Sequence, residues 1–73
     1  MAKIIIRSEG TEISVADAMR FYGWREIVSA MEKDEKSLSD VVRIMDGQNI
    51  PNWEETFLTE FVKITDRDLI VGR

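Results

Sequence analysis

With 73 residues, no cysteine, no histidine and a net charge of −4 from 10 basic and 14 acidic side chains, the sequence describes one small domain spanning residues 1–73. These counts exclude a disulfide scaffold, a thiolate–imidazole metal site and a histidine general base. A chain of this size buries only about 60% of its unfolded surface, so helix packing or association must hold it together.

The first residues carry only three consecutive large apolar side chains, Ile4, Ile5 and Ile6, between Lys3 and Arg7. That run is far too short for a signal-peptide core or a membrane span, so the expectation is a soluble cytoplasmic protein with no membrane partner. Three β-branched residues in a row predict a short strand. An unpaired strand edge is sticky, and this one is expected either to make a homodimer with its own copy or to pair with a strand at Leu69–Val71.

Ser8–Thr11 reads as a turn, and Ser14 followed by Asp17 has the form of a capping box that starts a helix over Val15–Tyr22, ended by Gly23. Trp24 leads into a second helix to about Lys33, with Ile27, Val28, Ala30 and Met31 as its apolar stripe. Trp24 reads as a packing residue, because no basic residues interleave with aromatics around it as they do on base-stacking surfaces. A charged connector follows, and Ser37 or Ser39 is placed to cap a third helix over about Leu38–Asp46, whose apolar positions are Val41, Ile44 and Met45.

Gly47 suits the left-handed position that closes a helix, and Pro51 blocks its continuation. Asn52 with Glu55 reads as a second capping box, opening the most apolar helix, Trp53 to about Ile64, with Trp53, Phe57, Phe61 and Ile64 spaced by four, four and three. Phe57 and Phe61, at the centre of that stripe, are expected to be buried. Residues 65–67 are a turn, and Asp68–Gly72 reads as a strand or a last helical turn.

The pattern Arg43-Ile44-x-x-Gly47-x-x-x-Pro51 resembles the third helix and following loop of lambda-repressor and Cro-type helix-turn-helix domains. The resemblance implies a mainly α fold, a compact four- to five-helix repressor-like bundle with a short N-terminal strand and a possible C-terminal one. Residues 65–70 would be its fifth helix. It further implies a DNA-binding regulator acting as a dimer, in which Lys36, Ser37, Ser39 and Asp40 face bases while Arg43, Gln48 and Asn49 lie nearest the phosphates. The connection read from Met31 to Ser37 is longer and more charged than that family's tight turn.

Charge opposes the DNA reading. Between Arg20 and Arg43 five basic residues face five acidic ones, and from Asp46 onward the count is three against six. Phosphate neutralisation needs a concentration of lysine and arginine on one face. The competing expectation is a helix-turn-helix-like scaffold that binds a basic protein through Asp34, Glu35 and Asp40, as an inhibitor, anti-repressor or DNA mimic. No glycine-rich phosphate loop, calcium loop or buried acid–base pair occurs, so neither catalysis, a small-molecule substrate nor a cofactor is expected.

Overall fold

Residues 2–72 are described by a computed structural model with the order β1 (Ile4–Ile6), β2 (Glu12–Ile13), α1 (Val15–Phe21), α2 (Trp24–Met31), α3 (Glu35–Met45), α4 (Trp53–Ile64) and β3 (Leu69–Val71). Four helices pack on one three-stranded sheet of order β2-β1-β3. β1 pairs antiparallel with β2 and parallel with β3, with Ile4 opposite both Ile13 and Leu69. Alternation puts Ile4, Leu69 and Val71 on the face that the helices cover. Both edges of β1 are occupied within the chain, so the open edges of the sheet belong to β2 and β3.

The core joins that sheet face to Ala18 of α1, Ile27 and Met31 of α2, Val41 of α3 and Phe57, Leu58 and Phe61 of α4. Each fully buried Leu, Ile or Phe contributes about 1.5–3 kcal/mol, so α4 supplies the largest share. Phe57 and Phe61 are buried as the four-residue spacing predicts. Trp53 and Ile64 lie at the ends of α4 and toward the margin of its buried face, and are 46% and 39% exposed.

Several local expectations change. Ser14 Oγ does accept the Asp17 N–H at 3.1 Å, while the Asp17 carboxylate turns to Arg20. Gly23 has φ −66° and serves as the N-cap of α2, the C-cap of α1 being Tyr22. α3 begins three residues earlier than the sequence suggests, because Asp34 caps it in place of Ser37 or Ser39. The α2–α3 connection is therefore only Glu32–Asp34. Ile44 is 47% exposed, not inward: it sits roughly 60° round the helix from Val41, on the side opposite Leu38, and α4 does not cover it. Asn52 takes a left-handed backbone (φ 54°) and makes no side-chain cap, so no capping box forms with Glu55. Gly47, at φ +76°, does occupy the left-handed position that lets the chain leave α3. Residues 65–70, a fifth helix in the repressor resemblance, are instead a turn over 65–68 and the first two residues of β3.

Candidate functional site on α3 and α4

Leu38, Val41 and Met45 turn α3 toward the core, which leaves Lys36, Ser39 and Arg43 exposed along its opposite side. Glu35 and Asp46 flank that strip at the two ends of the helix, both exposed, and Asp40 lies half-buried beside it. The Arg43 guanidinium sits 3.5 Å from the Asp40 carboxylate, one turn back. The outward face therefore holds two cations against three carboxylates, and one cation is already paired. Pairs this exposed add little to stability, but they do cancel the field that a phosphate would feel.

Three of the residues singled out from the sequence are committed to holding the fold. Asp34 accepts the Ser37 N–H at 3.2 Å and its hydroxyl at 2.9 Å, then the Thr65 hydroxyl at 3.0 Å. Arg67 lies 3.6 Å from the same carboxylate, and its backbone N–H donates to Thr65 Oγ1. This latch ties the start of α3 to the α4–β3 turn, with Thr65 buried inside it. The Ser37 amide, followed by the Ser37 and Thr65 hydroxyls and the Arg67 charge, holds the Asp34 carboxyl below its ordinary pKa. Asp34 and Ser37 are thus not free to meet bases or a partner. Gln48 is also engaged: its side-chain amide donates to the Ile44 carbonyl at 2.6 Å and closes the last turn of α3. Asn49 remains exposed beyond it.

Sequence reasoning missed the apolar surface beside this face. Val42, Met45, Trp53 and Phe57 enclose a groove of about 250 Å³ between the end of α3 and the start of α4, with Asp46 and Gln48 on its rim. Val42 is 54% exposed. Trp24, Trp53 and Phe57 form a mutual edge-to-face cluster, with ring centroids 5.3, 5.8 and 6.3 Å apart. Edge-to-face geometry places the positive ring edge on the negative face of its neighbour, so the cluster holds Trp53 in position while nearly half of it meets solvent. The available signal was a tryptophan at the first helical position, directly after a connection that leaves α3's final turn uncovered.

The chain matches no protein-family model, no curated protein and no solved structure. No helix among the described residues is long and apolar enough to cross a membrane.

Proposed function

We propose that the protein binds another protein, one of basic character, through the outward face of α3 and the aromatic groove next to it. The observation that carries this reading is the half-exposed Trp53, held by Trp24 and Phe57 over an apolar groove rimmed by Asp46. Tryptophans of this kind are common energetic anchors in interfaces, because they bury a large area with little loss of side-chain freedom. Asp46 at the groove, with Asp40 and Glu35 further back along α3, favours a basic partner and accelerates its encounter at low salt. The protein's net charge of −4 acts in the same sense at longer range.

A second reading, duplex-DNA binding by a dimeric repressor-like regulator, is favoured by one feature. The α2–α3 connection of three residues has the length of a helix-turn-helix turn, and Lys36, Ser39 and Arg43 lie exposed on the helix that would enter the groove. Against it stands the charge count of that helix, since phosphate contacts supply most non-specific affinity.

Tryptophan emission, recorded during titration at low salt, distinguishes the two. An amphipathic Lys/Leu helical peptide is expected to shift the emission, with an affinity that falls as salt rises, while random-sequence duplex leaves it unchanged. A duplex that binds with a steep salt slope, alongside a peptide that does not bind, rejects the protein-binding reading.

A further inference from the structure

Among the described residues the sheet ends at β3, whose outer edge has no strand neighbour. The Leu69 N–H donates to the Lys3 carbonyl and the Val71 carbonyl accepts from the Arg7 N–H. In a parallel ladder, bonding alternates along the strand, so Leu69 and Val71 face β1 while the N–H and C=O of Ile70 point outward. No side chain among the described residues takes up either group.

Beside this edge runs a cavity of about 310 Å³, bounded by Ala30, Phe61, Leu69 and Ile70 and by three cations: Arg7 from just beyond β1, whose Nε–H donates to the Gly72 carbonyl, Lys33 from just beyond α2 and Arg67 from the α4–β3 turn. A smaller hollow of about 110 Å³ continues it past Ser29, with Glu26 at its far end. Two carboxylates also line the larger cavity, and both are engaged. Asp34 is saturated by the latch, and Asp68 accepts the Lys3 backbone N–H at 3.1 Å. Lys33 has no carboxylate within ion-pair distance among the described residues. On a chain of net charge −4, the larger cavity is lined by three cations against two carboxylates, with Arg67 paired to Asp34 and Lys33 left free of any ion pair among the described residues.

We infer that this edge receives an extended, acidic peptide segment of another protein, which adds to β3 as a fourth strand. Main-chain bonds to Ile70 would fix the register, and carboxylates on alternate residues would meet Lys33, Arg7 and Arg67. A second copy of this chain fits less well, because antiparallel pairing of two β3 edges brings both sets of three cations together. The surface is separate from the α3 groove, so its occupant is a different segment from the basic partner proposed above.

The test uses the intact protein and a labelled alternating Glu/Val peptide of about six residues, the usual length of a strand. Binding is read by fluorescence anisotropy, and the Ile70 amide is followed by hydrogen exchange. The peptide is expected to bind at low salt and to slow exchange at Ile70. Lys33→Glu, at an exposed position, should weaken it at least tenfold. Ile70→Pro removes the outward donor while leaving the β1–β3 bonds in place, and proline is tolerated at sheet edges. That variant, if folded by circular dichroism, should lose binding. If it does not fold, unchanged exchange at Ile70 in the wild type on peptide addition is the overturning result. Equal binding by a folded Ile70→Pro overturns strand addition and leaves simple ion attraction. Preference for a Lys/Val peptide, or a dimer in sedimentation that Lys33→Glu strengthens, also overturns the inference.

Discussion

Phe61 and Ile64 lie three residues apart on α4 and were equivalent members of one apolar stripe in the sequence, yet they are 2% and 39% exposed. Truncating Phe61 to alanine removes the ring from the centre of the core, where it sits among the buried side chains of all four helices and the sheet. The expected cost is about 3–5 kcal/mol, from lost transfer energy and the cavity left behind. Alanine's better helix propensity returns only about 0.5 kcal/mol. A domain of this length has a total stability of roughly 4–11 kcal/mol, so the variant is left marginal or unfolded. Because each kcal/mol moves the melting temperature of such a domain by about 4–8 °C, the shift should exceed roughly 12 °C. Ile64→Ala, at the margin of the buried face, leaves no enclosed cavity and should cost only about 1 kcal/mol. Urea denaturation followed by far-ultraviolet circular dichroism measures both. Equal costs for the two substitutions would refute the placement of α4, because they would mean that its buried face is centred elsewhere.

Four further outcomes follow from the same geometry. The depressed pKa of Asp34 means that its contribution is present above the ordinary carboxylate range and is lost as pH falls through the folded-state value. Asp34→Asn keeps a good N-cap but removes the charge, so its urea midpoint should fall less than the wild type's on acidification; parallel pH profiles would contradict this. Gly47→Ala should destabilise by about 1–2 kcal/mol from its left-handed backbone alone, since open space surrounds the new methyl group. Gly23→Ser, at an ordinary φ and an N-cap, should be neutral or slightly stabilising, and thermal melts of the pair test the two assignments together. Trp53→Ala should cost only about 1–2 kcal/mol in urea unfolding, chiefly its edge-to-face contacts, while abolishing binding of a dye-labelled basic peptide read by fluorescence anisotropy.

Periodicity carried most of the fold. The β-branched run Ile4–Ile6, the Ser14 cap and the four-residue spacing of Phe57 and Phe61 each announce their element, because each is a local rule with a local signal. The pairing of Leu69–Val71 with β1 was one of two partners that the sequence left open for Ile4–Ile6, the other being a second copy. What escaped depends on contacts far apart in sequence. α3 starts at Glu35 because the Asp34 carboxylate is shared by Ser37 and by Thr65, 31 residues away. β2 has only two residues, too few to show alternation, and exists because β1 offers it an edge. Ile44 and Trp53 looked like core on spacing, and only the direction from which α4 approaches decides that they meet solvent. The same limit applies to the candidate site: the charges on α3 could be counted, but the groove beside Trp53 is made by two helices meeting.

The proposed function requires that the face of α3 prefer a basic protein surface to phosphate. Asp40→Asn and Arg43→Ala, measured side by side against the Lys/Leu peptide and random duplex, test this most directly. If the face does, Asp40→Asn slows association with the peptide, Arg43→Ala quickens it, and duplex stays unbound by either variant at low salt. The contradicting result is tighter duplex binding by Asp40→Asn, with uniformly weaker binding and a salt slope lower by about one for Arg43→Ala, the signature of a lost phosphate contact.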